Sequence, residues 1–288
     1  MICLCRVITN VKGASLVNKR TWTEGIPSPG STEMIPLLVW GRKYFHTPGV
    51  LWRSKKPIKL KGRSPSSQQW LSRQVNDPYV KQAQIENYRA RSAFKLLEID
   101  ARFRLLRPGH VVVDCGAAPG SWSQVAVEKV NALGTDPNKP KGKVVSVDLQ
   151  YFEAVEGAIL LTESDFTHPA TQSKILSILN GQLINAVLSD MAPNATGVRV
   201  MDHENIVRLC RSTLNFAQDV LREDGHFLGK LWDGHEMARL KEEIARVFRS
   251  VKVVRPDASR KESSEIFLLG KGFKRYLIHN VGGIPKTG

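Results

Sequence analysis

The stretch His110 to Ala126, HVVVDCGAAPGSWSQVA, limits what this chain can fold into more than any other. Val111, Val112 and Val113 form a short apolar run suited to a strand buried on both faces. Asp114 ends the run. Gly116, Ala117, Ala118, Pro119 and Gly120 are all small or turn-forming, and Ser121 opens a segment with Val125, Val127 and Val130 at helical spacing. A buried strand, a tight turn and a helix start, in that order, form the ligand-binding edge of a doubly wound sheet. Small residues let a ligand approach the backbone, and the helix start offers free N–H groups.

The segments that follow repeat the alternation. Strands are expected at Lys143 to Leu149, Ile159 to Glu163, Leu183 to Ser189, His226 to Trp232, Ser250 to Val254 and Glu265 to Leu269. Helices are expected at Thr171 to Leu179, from Asp202 as cap to about Arg222, and at His235 to Phe248. Ahead of the opening motif, Asp77-Pro78 is a helix start, and the pattern predicts one helix from Pro78 to about Phe103. The fold class expected is α/β, a Rossmann-like, seven-stranded, mostly parallel sheet flanked by helices. Order is expected from about Trp70, with the domain spanning 70–272 and residues 273–288 a loose tail.

Charge separates the N-terminal quarter from the rest. Residues 1–75 hold 13 Lys/Arg against two acids, Glu24 and Glu33, a net of +11 out of +15 for the chain. The body carries the other +4, so a nucleic-acid surface there must be a local patch. The acid-poor segment 1–69, with hydroxyl residues among its basic ones, is of the kind that directs import into an organelle, and a mitochondrial transit peptide is expected within it. The alternative is a basic tail that touches RNA. Cys3, Cys5, Cys115 and Cys210 offer neither paired metal-ligand spacing nor a disulfide framework. No apolar run approaches the roughly 20 residues of a membrane span.

The turn lacks the GxGxxG of a dinucleotide site; it carries Pro119 and, directly after Ser121, Trp122. Asp148 ends the next strand, where an acid can accept from ribose hydroxyls. Asp165 and Phe166 follow the third strand, where the acid can meet an adenine amino group. Gly116, Pro119, Gly120, Ser121, Trp122, Asp148, Asp165 and Phe166 are therefore the candidate cofactor residues, with Trp122 as a pocket wall; Asp190 joins them, beside the methyl donor, through the resemblance given next. S-adenosylmethionine fits this set because it brings no phosphate and needs no pyrophosphate cradle. The alternative is an ordinary strand-to-helix turn with unrelated surface acids.

Four further stretches bear on the chemistry: SAFK (Ser92 to Lys95), LSDMAPN (Leu188 to Asn194), GKLW (Gly229 to Trp232) and RKESSEIF (Arg260 to Phe267). With DCGAAPGSW, and in the same order, they resemble the FtsJ/RrmJ family of ribose 2′-O-methyltransferases over about Trp70 to Gly272. DMAPNATG and ASRKESSE look most similar to mitochondrial members acting on large-subunit ribosomal RNA. The resemblance implies a Lys-Asp-Lys-Glu tetrad at Lys95, Asp190, Lys230 and Glu265. The choice of Glu265 over Glu262 rests on the SSE motif. It implies S-adenosylmethionine as cofactor, a ribosomal RNA uridine or a pre-ribosomal particle as substrate, the mitochondrial matrix as location, and no metal; a monomer is expected.

The chemistry gives each residue a part. A ribose hydroxyl is a poor nucleophile, so the site must align oxygen, carbon and sulfur and remove a proton. Lys230, which interrupts an apolar strand, is expected to be the base; Asp190 would orient it, and Lys95 and Glu265 would position the ribose. Taken alone, Lys95 would pass for a solvated charge, and Asp190 for a turn cap. Arg89, Arg91, Arg199, Arg255, Arg260 and Lys261 are candidates for an RNA-facing patch. Two other readings stay open: the same chemistry on tRNA or a capped mRNA end, and an RNA-binding assembly factor without turnover.

Overall fold

The computed structural model describes residue 62 and residues 64–275 except 195. The candidate transit peptide, Cys3 and Cys5 lie outside the described residues. The order is α1 (Pro65–Asn76), α2 (Pro78–Ile85), α3 (Ala93–Phe103), β1 (Val111–Cys115), α4 (Ser121–Lys129), β2 (Lys143–Val147) and β3 (Ala158–Leu161). It continues with α5 (Pro169–Leu179), β4 (Ile184–Ser189), α6 (Arg199–Val220), β5 (Leu221–Trp232), α7 (Met237–Val247), β6 (Phe248–Val254) and β7 (Glu265–Phe273). Among the described residues no helix is long and apolar enough to cross a membrane.

The seven strands lie in the order β3-β2-β1-β4-β5-β7-β6. Every pairing from β3 to β5 is parallel, and β7 runs antiparallel to both its neighbours. This is the expected α/β class. The chain leaves β1 toward β2 and β3, then returns to build β4 on the other side. The C-terminal ends of β1 and β4 thus flank a topological switch point, where open α/β sheets bind ligands.

Strand alternation sorts the core into two layers. Val111, Val113, Cys115, Val145, Val147 and Val187 face one layer, packed with Ile175 of α5, Ile206 of α6 and Leu240 of α7. Val112, Val144, Ala186, Leu188, Leu228, Phe267 and Leu269 face the other, with Leu96 and Ile99 of α3 and Val125 of α4. Each fully buried Val or Leu contributes roughly 1.5–3 kcal/mol. The same period of two puts Asp114, Ser146, Asp148, Asp190, Lys230 and Glu265 on the α3/α4 side of the sheet.

The single helix expected from Pro78 to Phe103 is two. Asn87 adopts φ 58°, which Asn tolerates better than most residues. The Tyr88 N–H bonds back to the Ala83 carbonyl at 2.8 Å, closing α2 with a Schellman-type end. Gln124 of α4 meets the freed backbone: its Oε1 accepts from Arg89 N at 2.9 Å and its Nε2 donates to Asn87 O at 3.0 Å. These partners lie 35 and 37 residues downstream, beyond the reach of a local pattern.

Asp202, expected at the cap of α6, sits in its first turn instead. Its carboxylate still organises the approach, accepting from Thr196 N at 2.6 Å, Thr196 Oγ1 at 2.7 Å and Gly197 N at 3.2 Å. Those donors hold its pKa below the ordinary carboxylate value.

Candidate active site

The tetrad comes together at the switch-point edge. Ser189, the last residue of β4, pairs with Gly229 of β5, so Asp190 and Lys230 come next in parallel register. Trp232 pairs with Glu265 across the antiparallel β5/β7 ladder, which sets Lys230 diagonal to Glu265 on one face. Helix α3 crosses above and supplies Lys95.

The four side chains form one ionic network. Lys95 Nζ lies 2.7 Å from Glu265 Oε1 and 3.9 Å from Asp190 Oδ1. Lys230 Nζ lies 3.0 Å from Asp190 Oδ1 and 3.2 Å from Glu265 Oε2. Ser259 Oγ, on the β6–β7 loop, donates to Glu265 Oε1 at 2.9 Å. Glu265 is 6 % exposed, and the side chains of Lys95, Asp190 and Lys230 keep only 12–16 %. Two cations and two anions enclosed together are balanced in charge.

The electrostatics of the two central groups follow. Burial pushes Glu265 up, but Lys95 and Lys230 outweigh it and hold the carboxyl at about 2. Burial pushes Lys230 down, yet Asp190 and Glu265 outweigh that, and its pKa ends above the ordinary lysine value. A base needs the opposite shift. In the resting network Lys230 is therefore an ammonium ion, because two carboxylates within 3.2 Å oppose its desolvation.

The turn beside the tetrad is built by close approach. Gly116 and Gly120 take φ of 79° and 107°. A Cβ on Gly116 would lie 2.5 Å from Met191 Cγ and 2.9 Å from the Met191 backbone. Gly116→Ala is therefore expected to lose about 1–3 kcal/mol of stability through backbone strain alone, read as a lower urea midpoint, and to weaken cofactor binding. Asp148 clamps the turn from β2: its Oδ2 accepts from Ala118 N at 2.8 Å, and its Oδ1 from Gln150 N at 2.7 Å. The Ala118–Pro119 peptide is cis, and Pro119 is exposed at the rim.

Other expected cofactor residues take different places. Trp122, expected as a pocket wall, is 2 % exposed; its Nε1 donates to Ser92 O at 2.8 Å, and its ring packs on Phe267 at 5.6 Å. It is a buttress between α3 and β7. Phe166 is 3 % exposed and meets Phe216 edge-on at 5.3 Å. Ser121 is buried, with its Oγ 2.7 Å from Ser92 Oγ. Asp165 is exposed; its Oδ1 holds Thr167 N at 2.8 Å and Thr167 Oγ1 at 2.7 Å. Leu149, absent from the expected set, stands 65 % exposed directly after Asp148, where a flat base could cover it. Its signal was its place after the strand-end acid.

Three of the expected RNA-facing arginines also hold backbone in place, Arg89 and Arg255 while remaining exposed. Arg89 donates to Pro119 O at 3.0 Å, to Glu153 O at 2.5 Å and to Ala154 O, tying the turn to the loop after β2. Arg91 pairs with Asp77 at 2.8 Å and donates to Ala258 O. Arg255 donates to Lys261 O and Ser263 O. Arg199 is exposed at the start of α6, and Lys261 is exposed on the β6–β7 loop, where Arg260 keeps 28 % of its side chain in solvent.

The pocket's chemistry suits a cationic, phosphate-free cofactor. Asp148, Asp165 and Asp190 follow three strand ends, and beneath them the fully buried Asp114 has an Oδ1 with no hydrogen-bond partner. Such a lining repels a pyrophosphate and attracts a sulfonium.

The chain is 48 % identical over 234 residues, 81 % of its length and 94 % of the relative's, to a Drosophila melanogaster protein named rRNA methyltransferase 2, mitochondrial. It is 44 % identical over 77 % of its length to a ribosomal RNA large subunit methyltransferase E of Roseobacter denitrificans, covering 94 % of it. A Plasmodium falciparum crystal structure described as a ribosomal RNA methyltransferase aligns with TM-score 0.57 and 26 % identity, over 65 % of this chain and 98 % of that one. Residues 88–273, which hold the turn, the three acids and the whole tetrad, match the model for the FtsJ-like methyltransferases, and the chain is a methyltransferase of that family.

Proposed function

We propose that this protein transfers a methyl group from S-adenosylmethionine to a ribose 2′-hydroxyl, on a uridine of mitochondrial large-subunit ribosomal RNA. The observation that carries the reaction type is the enclosed Lys95–Asp190–Lys230–Glu265 network beside a cation-attracting pocket. The substrate rests on the names of the relatives, which act on ribosomal RNA, and the location on the mitochondrial one.

The bound sulfonium supplies an activated methyl group. The chain supplies position and a proton acceptor. Lys95 and Glu265, locked at 2.7 Å, form one wall for the ribose. Asp190 stands between Lys230 and the cofactor turn and fixes the lysine's direction. Lys230 gives up its resting preference for the ammonium form once a third positive charge stands near Asp190, because like charges disfavour protonation. It can then take the hydroxyl proton as the new C–O bond forms. Gly116, Gly120 and Asp148 hold the donor in line, and effective alignment is a large share of such a rate.

The RNA assignment is tested in cells depleted of the protein. Nucleoside mass spectrometry of mitochondrial large-subunit RNA is expected to lose 2′-O-methyluridine at one site, restored by the intact chain but not by Lys230→Met. Unchanged methylation there, with loss in tRNA or in capped mRNA, would move the activity to that RNA.

A further inference from the structure

One buried acid takes no part in the chemistry proposed for the tetrad. Asp114, at the end of β1, is fully enclosed. Its Oδ2 accepts from Ser123 Oγ at 2.8 Å, and Ser146 Oγ donates to Ser123 Oγ at 2.8 Å. Its Oδ1 has no partner, and no ion pair reaches it among the described residues. Carboxylates this buried are ordinarily matched by a cation.

The place of Asp114 points to which cation. It pairs with Ser146 of β2 and Leu188 of β4, so Asp148 and Asp190 each lie two residues further along neighbouring strands. By strand spacing, their Cα atoms stand about 8 Å away. The charged groups that face it are Asp148 from β2 and Asp190 from β4; Lys95 from α3 and Lys230 from β5 are both engaged with Glu265. Helix α4 contributes only the Ser123 hydroxyl, and the adjacent Cys115 thiol is buried and neutral. Directly above lies the Gly116 turn.

Resting on the S-adenosylmethionine reading, we propose that Asp114 is the charge sensor of the cofactor pocket. It sheds a proton to solvent when the cationic sulfonium donor binds, and takes one up when the neutral thioether product stands in its place. Asp114 is thereby a positioning residue that favours donor over product, and so favours exchange of one for the other after each turnover. Its resting titration suits the task. Burial raises it, Ser123 lowers it, and Asp190 and Asp148 raise it, leaving it at about 7. A nearby cation lowers it again, so donor binding releases protons and tightens as pH rises toward that value.

Isothermal titration calorimetry of the full chain tests this, with S-adenosylmethionine and S-adenosylhomocysteine titrated in phosphate and in Tris at pH 7. Donor binding is expected to release a substantial fraction of a proton, seen as a heat that differs between the buffers, and product binding to release none. Donor affinity is expected to rise about fivefold between pH 6 and 7, about tenfold in all by pH 8, and to level off above that, while product affinity does not rise. Asp114→Asn should abolish the proton release and cut the donor-over-product preference about tenfold. Should that variant fail to fold, Ser123→Ala keeps the test sharp. Removing the hydroxyl donor should move the midpoint of proton release to higher pH. Donor binding without buffer dependence in the intact chain, or the same release in Asp114→Asn, would overturn the sensor while leaving the cofactor reading intact. Failure of both ligands to bind would overturn both.

Discussion

Replacing Lys230 with methionine is expected to slow methyl transfer by about 10²–10⁴-fold, the span typical for losing a positioned proton acceptor. Methionine keeps the unbranched stem and its packing, so the variant should fold and still bind the cofactor. With the lysine acting on the reacting hydroxyl as proposed, the loss should fall on kcat rather than on KM for RNA. Single-turnover transfer of a labelled methyl group, followed across pH, measures it. The intact enzyme should speed up with pH until Lys230 is neutral in the loaded complex, and the variant should be flat over that range. If both profiles rise alike, the proton leaves by another route.

Glu265→Ala is expected to be the most damaging change to the fold. It removes the carboxylate shared by Lys95 and Lys230, at 2.7 and 3.2 Å, and leaves both cations enclosed with Asp190 alone. Breaking a buried ion pair from one side costs about 3–5 kcal/mol, read as a lower urea midpoint with unchanged slope. Acid should imitate it. The carboxyl sits at about 2 in the folded state, below its ordinary value of 4.5. Its contribution is therefore complete above pH 4.5 and is lost as pH falls from 4.5 toward 2. Glu265→Ala should lack that part of the acid-induced loss. If its acid stability curve parallels that of the intact chain, the network is not what the carboxylate holds together.

The elements were largely legible because their cause is local. Three consecutive valines before a small-residue turn favour a buried strand from local pattern, and Lys230 in an apolar strand already announced a buried partner. The break at Asn87 was not legible, because Gln124 of a later helix satisfies the backbone that the break exposes. The bracing contacts of Trp122 were hidden for the same kind of reason, because they come from Ser92 and Phe267, on α3 and β7. Arg89 and Arg91 read as surface charge, yet their partners include backbone carbonyls 30 to 167 residues away. The Lys230 charge state was beyond the sequence too, since it depends on whether burial or two nearby carboxylates weighs more.

Methylation of a ribose oxygen by the enclosed tetrad is tested most directly by incubating the purified chain with large-subunit ribosomal RNA and S-adenosylmethionine labelled in its methyl group, then digesting the RNA to nucleosides. Label is expected in a 2′-O-methylated nucleoside, with uridine as the base, and none with Lys230→Met. Label on a nucleobase, or equal label from the intact chain and from Lys230→Met, would contradict it.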